Sequence, residues 1–498
     1  MSRESNMHAG GKSDGCVVPT KYPNNGGKPP AEGTEGRQPT KENIGQATAP
    51  RTQSRISELS DLLGVRKAAR KDKQMRFTAL LHHVTVSHLR GSYYALKREA
   101  APGVDGVSWE EYETDLDEKL ADLHSRIHRG TYRAQPSKRA YIPKADGRQR
   151  PLGIAALEDK IVQQAVVTVL NQVYEEDFLG FSYGFRPGRS QHQALDALWV
   201  GIMRKKGNWI LDADVRGFFD NLSHEWLVKF IEHRIADRRI LRLVQKWLRA
   251  GVSEEGKWSK TEVGTPQGAV ASPLLANIYL HYAFDLWVKH WRKHRAVGDV
   301  IVVRYANDIV AGFENRADAE RFLQEWKERL QKFGLELHPD KTRLIEFGRH
   351  AAENRKQRGE GKPEVFDFLG FTHMCGKTRK TGRFIVKRKT IRKRLTAKLS
   401  ELKEELRRRW RQPVAEVGKW LKSVVQGYFN YHAVPGNMDS LNGFRAQVIW
   451  HWYRALRRRS QRARMTWERF RRSIDRWIPS AKILHPHPNV RFDARYLR

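Results

Sequence analysis

The sequence predicts an α+β body followed by an all-α C-terminal domain. Three observations carry that expectation. Apolar runs of strand length alternate with helical periodicity as far as about residue 375. Beyond Thr390 the pattern is helical and basic. Between them, residues 301–313 (IVVRYANDIVAGF) hold two apolar runs around a short tip. That reads as a β-hairpin buried on both flanks and presenting Tyr305-Ala306-Asn307-Asp308.

Taken in order, residues 1–54 are rich in Gly, Pro, Asn, Ser, Thr and Lys and poor in large apolar side chains, the composition of a disordered basic tail. Residues 56–98 turn helical in pattern. Residues 101–106 (APGVDG) break the pattern as a loop, and 109–128 resume it. Residues 139–154 read as two strands around a turn at Asp146-Gly147. A helix is expected over 159–178, a strand over 209–215, helical structure over 224–250 and a helix over 273–291. After the 301–313 hairpin come a helix over 318–333 and a short strand near 335–337. Residues 366–371 open another hairpin. No internal repeat is present.

The chain has 498 residues, room for roughly three domains. Its net charge is +36, and 39% apolar content supports real cores. Such a surface points to nucleic acid or an anionic membrane. No apolar run is long enough to span a bilayer, and the N-terminus lacks the apolar core of a secretory signal, so nucleic acid is the expected partner. Two cysteines, Cys16 and Cys375, exclude a disulfide framework and a Cys-rich zinc site in this chain; a reducing cytoplasm fits. Residues 379–498 hold 32 Lys and Arg against 8 Asp and Glu, which is two-thirds of the excess charge. Trp410, Trp420, Tyr428, Phe429, Tyr431, Trp450, Trp452 and Tyr453 are interleaved there. Aromatics that stack on unpaired bases, beside cations that track phosphates, make an RNA-binding region.

Three constellations carry chemistry. Leu211-Asp212-Ala213-Asp214-Val215-Arg216-Gly217-Phe218-Phe219-Asp220 ends a strand in acids and aromatics. Asp214 there and Asp308 at the hairpin tip converge if the two strands lie side by side, and paired carboxylates suit two Mg²⁺ ions and in-line phosphoryl transfer. Val263-Gly264-Thr265-Pro266-Gln267-Gly268 is a tight loop, either a plain turn or a close approach to a ligand that Gln267 would bond. Tyr141-Ile142-Pro143-Lys144 and Arg148-Gln149-Arg150-Pro151 place Lys144 and Arg150 on one hairpin, either an ordinary basic hairpin or a triphosphate clamp.

In this order and spacing the pieces resemble the reverse transcriptase and maturase encoded by bacterial group II introns. The resemblance runs from about residue 56 to 498. It rests on YGFRPGRS at 183–190, DVRGFFDN from Asp214, GTPQG from Gly264, the tip at 305–308, HPDKT at 338–342 and FDFLGF at 366–371. It implies a right-hand polymerase: an N-terminal extension and fingers over 55–200, a palm with an antiparallel sheet over 201–375, and a helical thumb and maturase domain over 376–498. It implies that Asp214 and Asp308 bind the two Mg²⁺ ions and that Phe219 rejects a ribose 2′-hydroxyl. Gln267, Gly268 and Tyr305 would lie at the incoming nucleotide, with Lys144 and Arg150 on its triphosphate. Lys341 would protonate the leaving pyrophosphate, and 366–371 would be the primer grip. The segment around 426–431, with Tyr428 and Tyr431, and the run Arg457-Arg458-Arg459 would hold intron RNA. Implied partners are the host intron's RNA, a DNA target and primer, and dNTPs, in a cytoplasmic bacterial ribonucleoprotein and not at a membrane.

Two departures matter. The family tip is Tyr-Ala-Asp-Asp, and Asn307 stands at its first acid. An amide oxygen still coordinates Mg²⁺ but brings no charge, so weakened metal binding and a rate drop of ~10³ or more are expected. Asp212 is on the same strand face as Asp214 but one step further along. The family's zinc-bearing HNH endonuclease is also not expected: cysteines are missing, and His485-Pro486-His487-Pro488 reads as an extended surface segment. The alternatives are an RNA-binding splicing cofactor without polymerase activity, or a domesticated reverse transcriptase in repair or phage defence.

Overall fold

A computed structural model of the chain describes residues 61–143, 149–459 and 466–495. The tail over 1–54, the Asp146-Gly147 turn and Lys144 lie outside the described residues. The strands are β1 Ser137–Pro143, β2 Gln149–Ile154, β3 Trp209–Asp214, β4 Val252–Glu254, β5 Lys257–Ser259 and β6 Val300–Tyr305. They continue with β7 Asp308–Phe313, β8 Arg343–Glu346, β9 Phe366–Phe368, β10 Phe371–Lys377 and β11 Phe384–Thr390. The order β6-β7-β3-β8 makes a central antiparallel sheet. A second sheet runs β2-β1-β4-β5, with β1 and β4 parallel, and a third runs β11-β10-β9.

The central strands are mostly apolar because both of their faces are covered. Leu211, Ala213, Val302, Ile309 and Ala311 join the large core shared with the N-terminal and central helices. Ile210, Val303, Tyr305, Val310 and Ile345 join a second core with the helix Gln191–Arg204 and the third sheet. That split is the period of two of a pleated strand. Asp212 and Asp214 stand in phase with Ile210, and Asp308 with Val310, so these acids face the second core. Arg304 is out of phase with Val303 and Tyr305 and faces the first. A third core lies inside the C-terminal helices Arg392–Arg408, Val414–His432, Met438–Arg457 and Trp467–Trp477.

Several expectations change. Helical structure over 56–98 is interrupted between residue 71 and the helix Val86–Ala95. The 109–128 helix divides into Trp109–Glu113 and Leu116–Arg129 around Asp115, whose φ is 55°. The 224–250 stretch divides into His224–Glu232 and Arg238–Arg249, and Asp237 caps the second. The 273–291 helix contains a π turn over His281–Asp285. Near 335–337 only a single bridge forms, Val215 to Leu337, and β8 supplies the strand. The helix Gln191–Arg204 was not anticipated, although Ser190 and Gln193 form a capping box at its start. The β4–β5 hairpin was not anticipated either. A domain boundary at 375/376 would cut β10, and helices alone begin at Arg392.

Candidate active site and nucleic-acid interface

The β6–β7 turn and the end of β3 build the site. Asp214 and Asp308 are register partners, and both are buried. Ala306 and Asn307 form the two-residue turn between Tyr305 and Asp308. Asn307 is fully buried, and its Nδ2 donates to Asp214 Oδ1 at 3.2 Å. Lys341 reaches Asp214 Oδ2 from the other side, with Nζ at 2.8 Å. It arrives on the short 3₁₀ turn Pro339–Lys341, which is pinned by the His338 N–H donating to the Asp214 carbonyl at 2.8 Å. The structure thus brings together Asp214, Asp308, Asn307 and Lys341. Asp212 is held apart, with Arg343 Nη2 at 3.5 Å from its Oδ2.

Behind the turn lies a network that sequence reasoning missed. Arg304 and Asp285 have no exposed surface and pair in two parallel bonds, Nε to Oδ1 at 2.7 Å and Nη2 to Oδ2 at 2.6 Å. Arg304 Nη1 also donates to Asn277 Oδ1 at 3.0 Å and to the Ala306 carbonyl at 3.1 Å. Ala306 has φ 54°, a left-handed conformation that costs a non-glycine residue about 1 kcal/mol or more, and Arg304 holds it there. Asn277 Nδ2 in turn donates to the Gly184 carbonyl at 2.7 Å. A Cβ at Gly184 would overlap the Ala306 backbone nitrogen, so only glycine lets this part of YGFRPGRS lie against the turn. Burial drives the neighbouring His281 down to about 4, partly opposed by the Asp285 carboxylate.

The expected nucleotide side is contiguous with this centre. Thr265 N–H donates to the Phe219 carbonyl at 2.8 Å, and Gly153 N–H to the Gln267 carbonyl at 2.7 Å. The 264–268 loop therefore bridges the turn after β3 and the hairpin that carries Arg150. Arg150 faces Ile142 across that hairpin and is half-buried. Gln267 Oε1 is buried without a hydrogen bond among the described residues, and Gly268 has φ 105°. Tyr305 is buried, 6.3 Å from the Phe185 ring. Phe219 has no exposed surface. Its carbonyl supports the loop that carries Gln267 from beneath.

On the opposite side, Leu369 and Gly370 make the two-residue turn between β9 and β10, with φ 44° and 83°. Tyr431 Oη donates to the Leu369 carbonyl at 2.8 Å. Arg394, in the first turn of Arg392–Arg408, sits beside Gly370; burial lowers its pKa, and the fields of Tyr431, Asp308 and Asp367 oppose that. Tyr431 is therefore a structural hinge-pin and not an RNA contact. Tyr428 is also buried, stacked on Phe444 at 3.7 Å. Both expectations of RNA contact at these tyrosines are overturned, because they lie on the apolar stripe of their helix. Among the described residues of the C-terminal helices the exposed aromatics are Trp410, Trp450 and Trp467. Arg457 and Arg458 are exposed, whereas Arg459 Nη2 donates to the Gln412 carbonyl at 2.8 Å. His485 is half-buried, with Nε2 2.7 Å from the Asn430 carbonyl, so the 485–488 segment docks on the helices and does not merely cover them.

Among the described residues no group of three or more His, Cys, Asp or Glu side chains is placed to hold a metal ion. The donor set here is two carboxylates plus the Asn307 Oδ1, which is buried and accepts no hydrogen bond among the described residues. Hard oxygens of that kind fit a divalent cation, with one charge fewer than three acids would supply. No helix among the described residues is long and apolar enough to cross a membrane.

Residues 142–373 match the family described as reverse transcriptase (RNA-dependent DNA polymerase), whose domains work with divalent metal ions. Protein YkfC of Escherichia coli strain K12 is 31% identical over 349 residues, 61% of this chain and 90% of that protein. The group II intron-encoded protein LtrA of Lactococcus lactis subsp. cremoris is 43% identical over 168 residues, 33% of this chain and 27% of that protein. Nuclear intron maturase 1, mitochondrial, of Arabidopsis thaliana is 24% identical over 95 residues, 18% of this chain and 13% of that protein. With two acids in register at the end of an antiparallel sheet, with the family match running across it and with these relatives, the chain belongs to the group II intron reverse transcriptase and maturase family.

Proposed function

We propose that the chain is an intron-encoded RNA-directed DNA polymerase and maturase whose polymerising step is weakened by Asn307. Its partners are the RNA of its own host intron, a DNA target and primer, and dNTPs. The observation that carries the reading is the Asn307 amide lying 3.2 Å from Asp214 where the family pattern has a carboxylate.

Asp214 and Asp308 would hold two Mg²⁺ ions, with the Asn307 amide oxygen as a neutral third donor. When bound, such ions lower the barrier for 3′-hydroxyl attack and for departure of pyrophosphate. The chain's own groups do the rest. Lys341, whose ammonium pairs with Asp214 at 2.8 Å, supplies a proton to the leaving pyrophosphate. Arg150 binds the triphosphate, and Gln267 and Tyr305 flank the incoming nucleotide. Phe219 supports the loop that carries Gln267. The primer end rests on the 369–370 turn beside Asp308.

Primer extension by the parent and by Asn307→Asp, titrated with Mg²⁺, tests the polymerase half. The aspartate variant is expected to be ~10³-fold faster or more, equivalent to about 4 kcal/mol of transition-state stabilisation. Equal, robust extension by both proteins sinks the reading. Splicing of the host intron RNA with added protein tests the maturase half, and an unchanged Mg²⁺ requirement counts against it. Asn307 also favours a second reading, a splicing cofactor that binds intron RNA without polymerising.

A further inference from the structure

The helical domain gathers exposed aromatics and cations in one place. Trp410 follows the helix Arg392–Arg408 and is 47% exposed; Trp450, on Met438–Arg457, is 48% exposed. A cavity of about 360 Å³ opens beside Trp410, walled by Lys403, Arg407, His451, Arg454 and Arg458. A second, of about 440 Å³, opens beside Trp450, and Arg454 and Arg458 wall it too. Trp450, Arg454 and Arg458 follow one another at four-residue spacing, so they share a helix face. Among the described residues no acidic side chain lines either hollow. Arg407 is offset by Glu404 at 3.0 Å, but neither Arg454 nor Arg458 has an ion-pair partner among the described residues. His451 is held below its ordinary pKa, first by burial and then by the fields of Lys403 and Arg454.

We propose that the two hollows form a track for an unpaired stretch of RNA. One base stacks on Trp410 and a neighbouring base on Trp450, with the phosphate between them on the shared Arg454 and Arg458. This rests on the reading that the chain binds RNA, and it specifies which form of RNA this surface takes. The physical reason is the pairing of exposed indoles with cations that have no acid partner among the described residues. Arg411 stands 5.2 Å from the Trp410 ring centre and Arg454 5.9 Å from that of Trp450, positions from which a stacking base would displace them towards its phosphates. Any base offers a π-face to an indole once it is unpaired, whereas in a duplex those faces are already stacked on each other. A duplex would use the arginines and leave the tryptophans idle.

The test uses the full chain with two probes, a short single-stranded oligouridylate and a mixed-sequence RNA duplex of equal length. Trp410→Ala is expected to weaken single-strand binding roughly tenfold and duplex binding less than about twofold, because one stacked base is lost. Trp410→Phe keeps most of the affinity. Arg454→Ala weakens both probes and lowers the slope of log affinity against log salt by about 1. Thermal midpoints verify that these exposed substitutions leave the fold intact. The proposal is overturned if the Trp410→Ala/Trp450→Ala double variant binds the single strand as the parent does. It is also overturned if single-strand and duplex binding fall equally. In either case tight binding by the parent leaves the maturase reading standing, whereas a parent that binds neither probe nor intron RNA overturns both.

Discussion

The palm centre and the C-terminal helices both depend on charge and use it in opposite ways. In the palm, Arg304, Asp285, Asp214 and Asp308 are buried, and Arg304 is bonded on every nitrogen. In the helical domain Arg454, Arg457 and Arg458 lie outside, while Tyr428 and Tyr431 lie inside. A buried ion pair gives little net stability over an apolar pair of the same volume, so its value in the palm is position. An exposed cation gives little position, so its value is field. Chemistry that needs a fixed turn is served by the first arrangement, and a long anionic polymer by the second.

The largest break in this comparison is Asn307→Asp. It puts a third carboxylate where the amide now donates to Asp214 at 3.2 Å. Like charges at that distance repel, so without divalent ions the variant is expected to unfold at a lower temperature than the parent. With millimolar Mg²⁺ it should gain more stability than the parent, because binding to the folded state alone raises stability with ligand concentration. Thermal unfolding across a Mg²⁺ series measures this beside the ~10³-fold primer-extension gain. Identical Mg²⁺ responses would mean that residue 307 does not face the ions.

Next in size is Arg304→Met, which strands the buried Asp285 carboxylate and should cost about 3–5 kcal/mol in urea unfolding. Adding Asp285→Leu should restore most of the stability. It should not restore the turn, because the bond to the Ala306 carbonyl is gone. The double variant, carried in an Asn307→Asp background, is therefore expected to be stable yet slow in primer extension. A double variant that is both stable and fast would reduce the network to packing.

These two regions also differed in how legible they were. The strand ending in Asp214, the hairpin tip and Lys341 were readable because each motif is local and its chemistry lies within a few residues. Arg304 and Asp285 were not, since one is mid-strand and the other in a π turn, and only the fold brings them together. Tyr428 was misread although a signal existed. Val417, Leu421, Val424, Tyr428 and Tyr431 recur at intervals of three and four, the spacing of a buried stripe. Composition identified a basic aromatic domain; helix phase decides which aromatics are outside.

The junction between the regions gives a smaller effect. His192 is half-buried against the C-terminal segment, its Nε2 2.8 Å from the Tyr431 carbonyl and its ring stacked on His485 at 3.8 Å. Burial, with the nearby His485, pushes its pKa down to about 3. The unfolded chain takes that proton near pH 6.5 and the folded chain does not, so stability is full above about 6.5 and falls with acidification towards 3. The slope is ~1.4 kcal/mol per pH unit, and about 2 kcal/mol is expected between pH 6.5 and 5. Urea unfolding at the two pH values checks this, with His192→Gln expected to flatten the dependence. An equal slope in the variant would assign the acid lability elsewhere.

The smallest effect separates neighbours in one run of arginines. Arg457 is exposed and stands over the Tyr453 ring at 5.8 Å. Arg457→Ala should change stability by less than about 0.5 kcal/mol. It should weaken RNA binding uniformly across sequences and lower the salt slope by about 1. Arg459, two residues on, instead donates to the Gln412 and Arg409 carbonyls at 2.8 and 3.5 Å, just beyond the end of the helix Arg392–Arg408. The guanidinium, just past the end of the helix Met438–Arg457, therefore ties down the loop that follows Arg392–Arg408. Arg459→Ala should cost about 1 kcal/mol in unfolding and leave the salt slope nearly unchanged. If Arg457→Ala and Arg459→Ala shift the salt slope alike, both arginines serve the field, and the division between positioning charge and field charge does not reach inside the helical domain.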